Sequence, residues 1–138
     1  MIAGVNDWNT KIIEEFRAHH GVVGGPFEGM RLLLLHTTGA RSGAERVNPI
    51  AYDQDGDRLF VFASAAGSDK HPDWFHNLVA QPEVTVEVGD ETFAATATPL
   101  GEPDRSERYD AMATKHPGFR EYEQKTDRVI PVVELTRR

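Results

Sequence analysis

Cysteine is absent from the 138 residues, which excludes a disulfide framework, thiol catalysis and thiolate metal ligands together. Long apolar runs are absent as well. The run Leu32 to Leu35 falls far short of the roughly 20 residues that a bilayer span needs. The N-terminus (Met1-Ile-Ala-Gly-Val-Asn-Asp-Trp) has neither the basic start nor the apolar stretch of a secretory signal, so a cytoplasmic protein is expected. Positive charge is in deficit, with 15 Lys+Arg against 22 Asp+Glu and a net charge of −7. A general nucleic-acid surface needs a sustained basic field and is disfavoured. Also missing are a Gly-x-Ser-x-Gly elbow and the Gly-Lys-Ser/Thr ending of a nucleotide P-loop. The histidines show no metal-ligand spacing: His71 and His76 lie five apart, a poor match to one helical face.

What is present fits one globular domain spanning 1–138, with 39% hydrophobic and 27% charged residues. Residues 7–20 carry Trp8, Ile12, Ile13 and Phe16 at helical spacing, which predicts an amphipathic helix capped by Asp7 and stopped at Gly21. Its apolar stripe would pack on the rest of the chain, or alternatively touch a membrane or a partner. After a glycine-rich loop at 21–29 the pattern turns to β. Strands are expected at 31–38, 46–53, 58–64, 84–88, 91–98 and 129–136. Asp55-Gly56 and Gly89-Asp90 read as hairpin turns, and Pro49 suggests an edge or bulge in the second strand. Asp53, Asp55 and Asp57 alternate across the first of these turns and read as a solvated turn. A helix is expected from Pro72 to Ala80, and helical or turn-like segments at 103–115 and 117–125. Consecutive hairpins without βαβ alternation predict an α+β, mainly β, fold in which about six antiparallel strands curl into a small barrel flanked by helices.

Three constellations could carry chemistry. Between the first two strands, Thr37-Thr38-Gly39-Ala40-Arg41-Ser42-Gly43-Ala44-Glu45-Arg46 offers two forked cationic donors, a hydroxyl and glycines that allow close approach. It reads either as an anion site or as a polar hairpin with solvated arginines. After the third strand, Ser64-Ala65-Ala66-Gly67-Ser68-Asp69-Lys70-His71 leads into a helix N-terminus, which suits an anion or simply caps the helix. Near the C-terminus, Phe119 and Tyr122 share a helical face, either as core or as a lid beside a flat ligand with the Tyr122 hydroxyl as polar handle.

Taken together, Leu-Leu-Leu-His-Thr-Thr-Gly-Ala-Arg-Ser-Gly, the Arg46-x-x-Pro49-x-x-Tyr52 spacing, Lys70-His-Pro-Asp-Trp-Phe-His-Asn-Leu78, Asn77 to Val88 and Lys125 to Thr136 resemble the deazaflavin-dependent nitroreductase family, in order from about residue 31 onward. The resemblance implies a split β-barrel that binds coenzyme F-420, a deazaflavin bearing a phosphate and an oligoglutamate tail. It implies cofactor contacts at Arg41, Ser42, Arg46, Pro49, Ala65, Ser68, Lys70, His71, Trp74 and Asn77, with Phe119 and Tyr122 on the substrate side. The implied reaction is hydride transfer from the deazaflavin C5 to a quinone, nitro compound or other electron-poor acceptor, then protonation from water or Tyr122. An anionic coenzyme would account for two donor-rich loops on an acidic chain, and a hydride-carrying coenzyme for the missing triad. An FMN-binding oxidoreductase or a non-catalytic deazaflavin carrier are the alternatives on the same fold. The expected partner is a small-molecule acceptor, with no metal and no nucleic acid; a homodimer and a peripheral membrane contact are both compatible.

Overall fold

Leu32 to Leu35 are all buried, and the two faces of that run go to different places. Leu33 and Leu35 belong to the barrel interior, whereas Leu32 and Leu34 pack outward with Ile12, Phe16 and Val23. A strand covered on both faces reads as a continuous apolar run, because its alternation has no solvent side to mark. The computed structural model describes residues 3–25 and 29–138, with side chains from Asn9 onward. The strands are β1 (Leu32–Thr38), β2 (Glu45–Asp55), β3 (Arg58–Phe62), β4 (Glu83–Val88), β5 (Glu91–Pro99) and β6 (Val132–Arg137). They close into an antiparallel barrel in the order β1-β2-β3-β6-β5-β4, with β4 returning to β1. The helices are α1 (Ala3–Ala18), α2 (Asp73–Ala80), α3 (Asp104–Lys115) and α4 (Gly118–Lys125).

Two hairpins turn through Gly56-Asp57 and Gly89-Asp90, between the pairs Asp55↔Arg58 and Val88↔Glu91. Pro49 lies opposite Leu34 on the part of β2 that extends beyond its pairing with β3, which begins at Tyr52. Its missing N–H therefore costs no bond to β3, so the edge expected there is a local one.

The helix expected from Asp7 begins instead at Ala3, leaving Asp7 inside it. Neither Gly4 nor the capping-type Asn6 stops the helix, so a capping-type residue such as Asp7 is not by itself a boundary. Trp8 lies outside the described side chains. The helix ends at Ala18, and the Gly21 N–H returns to the Phe16 carbonyl at 2.8 Å. The stripe considered for membrane or partner contact is used on the barrel: Ile12 and Phe16 are buried against Leu32 and Leu34. Arg17 adds a paired contact to Glu87 at 2.7 and 3.1 Å.

Helices α3 and α4 cover the outward face of β3, where Phe60 and Phe62 meet Tyr109, Met112 and Phe119. The Tyr109 hydroxyl donates to the Phe119 carbonyl at 2.6 Å, and burial pushes this phenol strongly upward. Asp55 and Asp57 are exposed, as a solvated turn requires, but Asp53 is buried. Lys115 Nζ reaches Asp53 Oδ1 at 2.5 Å and Arg108 reaches Asp55 at 2.7 Å, tying α3 to the end of β2. Sequence spacing could not show this, because both cations lie more than fifty positions away.

Helix α4 presses on the 3-10 turn Ala65–Gly67 that follows β3. A Cβ at Gly67 would lie 2.9 Å from Lys125 Cβ and 3.2 Å from Tyr122 Cα, at a φ of +83°. Gly67→Ala is therefore expected to lower stability by at least about 1–2 kcal/mol. Urea unfolding measures this, and an unchanged midpoint would contradict the packing described.

Candidate functional site

The antiparallel order decides where the two donor-rich loops emerge. β1 and β3 both run antiparallel to β2, so the loops after them leave from the same end of the barrel. One strand separates them, a lateral distance of roughly 10 Å. The opposite end carries the Gly56 and Gly89 turns.

At the loop end the inner face of β2 changes character. Tyr52 and Ile50 lie in the barrel core, and the next inward positions, two residues apart, are Asn48 and Arg46. These two line an open groove of about 930 Å³ together with Gly39, Ala40, Arg41, Ser42, Asp73, Trp74, His76 and Asn77. The same alternation puts Pro49 on the other face, opposite Leu34 and away from the groove. Asn48 lines the groove, so its neighbour Pro49 points its ring the opposite way, and Pro49 is not among the groove's lining residues.

Helix α2 is both stopper and wall. Trp74 and Leu78 pack into the barrel core, while Asp73, Trp74, His76 and Asn77 face the groove. Asn77 is buried and its amide holds the first loop: Oδ1 accepts the Ala40 N–H at 3.0 Å, and Nδ2 donates to Thr37 Oγ1 at 3.3 Å. Within the loop, Gly39 N–H bonds Ala44 O at 2.7 Å and Ala44 N–H bonds Ser42 Oγ at 3.1 Å. A Cβ at Gly39 would lie 2.6 Å from Ser42 Oγ, so only glycine leaves that hydroxyl in place.

The charges are distributed unevenly. Arg17, Arg58, Arg105, Arg108, Arg120, Arg137 and Arg138 all pair with carboxylates. Among the described residues Arg41, Arg46 and Lys70 have no such partner, although the chain has an excess of acid and all three are exposed. Lys11, Arg31, Lys125 and Arg128 also lack one among the described residues, but of these cations only Arg41 and Arg46 line the groove, where two guanidiniums suit an anion.

The second loop does not line the same groove. Ala65, Ser68 and Lys70 are exposed beside it, and the connection runs through His71. The His71 ring stands 5.7 Å from that of His76, a groove residue, and 4.8 Å from Phe75. The five-residue spacing hid this proximity because His71 precedes the helix and folds back over it. Arg128 was missed altogether. Its Nε donates to Ser68 O at 2.7 Å, Nη2 to Ser64 O at 2.8 Å, and Nη1 to His71 Nδ1 at 2.9 Å. Asn48 was also missed, although the alternation through Arg46, Ile50 and Tyr52 would have indicated it.

An arginine only donates, so His71 Nδ1 is unprotonated and the neutral ring carries its hydrogen on Nε2. Burial, the Arg128 charge and His76 together lower the His71 pKa from 6.5. The charged form is disfavoured in the folded state, so this contact contributes fully above pH 6.5 and weakens as pH falls toward the lower folded value. NMR titration is expected to place His71 below an unstructured histidine; a value at or above 6.5 would contradict the contact.

Phe119 is buried, with its ring 5.7 Å from Phe62 and 6.1 Å from Tyr109, and does not reach the groove. The core alternative holds for it. Tyr122 is half-buried at 5.2 Å from Phe119, and its backbone lies against the Gly67 turn.

Residues 8–137 match the family described as F420H(2)-dependent quinone reductase. The chain belongs to that family. The match extends the likeness read from about residue 31 back through most of α1. An F420H(2)-dependent quinone reductase of Mycobacterium tuberculosis is 38% identical over 125 residues, covering 88% of this chain and 81% of the relative. A solved F420-H2 dependent reductase, FDR-A, superposes with a TM-score of 0.69 at 35% identity, covering 75% of this chain and 92% of that one. A further solved chain, described as a domain-swapped dimer, gives 0.71 at 32% identity over 95% and 98%. The split barrel, the dependence on coenzyme F-420 and the oxidoreductase activity of the family all accord with a groove flanked by free cations.

Proposed function

We propose that this chain reduces quinones, or similar electron-poor conjugated acceptors, with reduced coenzyme F-420 bound along the groove between the β1–β2 loop and α2. The observation that carries the proposal is the pair Arg41 and Arg46, which both line the groove and have no carboxylate partner among the described residues. The donor set fits the coenzyme: two guanidiniums and the Ser42 hydroxyl suit phosphate and carboxylates. The groove of about 930 Å³ is within the range of ligand sites, and the Trp74 indole gives it a flat apolar wall. Arg41, Ser42 and Arg46 would hold the anionic part, Lys70 would add charge from the second loop, and Asn77 would keep the first loop in position.

The bound coenzyme supplies a hydride. The chain's own residues bind and orient, which for two well-aligned reactants contributes up to about 7–11 kcal/mol of barrier reduction. Asn77 and the buried α2 side chains keep the wall from shifting. Tyr122, beside the second loop, is the proposed hydroxyl on the acceptor side; Phe119 has no part there.

The decisive experiment is a titration of the purified protein with oxidised F-420 and with FMN, followed by menadione turnover with reduced F-420. Saturable F-420 binding with menadione reduction supports the proposal. Preferential FMN binding would support the flavin alternative, and F-420 binding without turnover the carrier. The solved relative described as a domain-swapped dimer supports a homodimer here too; sedimentation equilibrium distinguishes it from a monomer. Among the described residues no helix is long and apolar enough to cross a membrane.

A further inference from the structure

Three consecutive residues of the second loop have positive φ: Ala65 at 46°, Ala66 at 54° and Gly67 at 83°. Glycine adopts this region freely, but an alanine there brings its Cβ too close to the following carbonyl. Two successive left-handed alanines persist only where surrounding contacts hold them. The same guanidinium brackets them on both sides, donating to Ser64 O before the turn and to Ser68 O after it. Its third bond reaches His71, at the entrance to α2. On the other side α4 closes over Gly67. Arg128 is half-buried, and its bonds are made to backbone and imidazole rather than to a carboxylate.

We propose that Arg128 is a positioning residue of the coenzyme site, a clamp that keeps Ala65–Gly67 left-handed and so fixes Lys70, His71 and the start of α2 beside the groove. The proposal rests on the reading that the groove binds F-420. The physical argument is geometric. A planar guanidinium presents several donors in a fixed fork, so it can hold two carbonyls and a ring nitrogen at once; a lysine ammonium on a flexible stem cannot reproduce that fork. Without the clamp the alanines relax toward ordinary backbone angles, and Lys70 and His71 move with them. The His71 contact faces Arg128, His76 and Phe75, with Asp69 and Asp73 the nearby acidic residues in the same segment.

The test uses the full chain and reduced F-420 with menadione. Arg128→Lys and Arg128→Ala are expected to raise the coenzyme KM about tenfold, the effect of losing bonds from a charged donor. The menadione KM should stay within a factor of two, roughly the scatter among independent sites. A merely structural loss would reduce the active fraction, lowering kcat with both KM values unchanged, and that outcome overturns the proposal. Adding Ala66→Gly to Arg128→Lys relieves the strained position and is expected to recover part of the coenzyme KM. A double variant no better than Arg128→Lys also overturns it. If Arg128→Ala does not fold, Arg128→Lys decides alone. Failure of the wild-type chain to bind F-420 would overturn the coenzyme reading itself, whereas normal wild-type binding with an unaltered coenzyme KM in Arg128→Lys overturns only the clamp.

Discussion

Combining Arg41→Ala with Arg46→Ala is expected to raise the dissociation constant for oxidised F-420 by about a hundredfold or more while leaving the melting temperature almost unchanged. A hydrogen bond from a charged donor contributes about 1.5–3 kcal/mol, and each 1.4 kcal/mol is tenfold in affinity. Both side chains are exposed and have no carboxylate partner among the described residues, so their removal leaves no buried charge unpaired. Exposed substitutions of this kind change stability by about 0.5 kcal/mol or less. The wild-type affinity should also fall as salt rises, and the double variant should lose most of that dependence. Fluorescence titration at two ionic strengths measures both effects. Unchanged affinity in the double variant would remove the basis for placing the coenzyme in this groove.

Asn77→Ala should behave differently, with affinity and stability falling together. Asn77 is 8% exposed, and its amide bridges the Ala40 N–H and Thr37 Oγ1 across the boundary between α2 and β1. Truncation leaves partners unsatisfied at a cost of about 1–3 kcal/mol. It also frees the loop that carries Arg41 and Ser42, so a weaker coenzyme complex follows from lost preorganisation as well. Calorimetry and titration on the same preparation give both quantities. A drop in stability with wild-type affinity would mean that the loop finds its binding shape without the bridge.

The difference between these two residues shows what could be read in the sequence. Arg41 and Arg46 lie within one short loop between two recognisable strands, so the anion-site reading needed only local spacing. All six strands were likewise legible, because β-branched and apolar residues, in a continuous run as in β1 or alternating, are a short-range signal bounded by glycine, proline and charged residues. Asn77 was legible as a position but not as a bridge, since its partners lie 37 and 40 residues away. Arg128 was not legible at all. Its partners are two carbonyls and an imidazole some sixty residues earlier, and a bond to a carbonyl imposes no residue type on its acceptor. Pro49 and Phe119 lie off the groove for a related reason. Membership in a family motif does not say which face of a strand or helix a side chain occupies, and here the strand alternation and the Phe62–Tyr109 cluster decide it. Asp53 illustrates the same limit in reverse, a turn acid drawn inward by a lysine from α3.

One consequence concerns how the coenzyme groove of such a reductase can change. Trp74 faces the groove yet belongs to the barrel core with Leu78, so reshaping that side of the groove disturbs the interior of the molecule. His76 and Asp73 line the same groove but are exposed, and no packed layer depends on them. Laboratory selection for altered coenzyme affinity should therefore accumulate substitutions at this rim and leave the indole untouched.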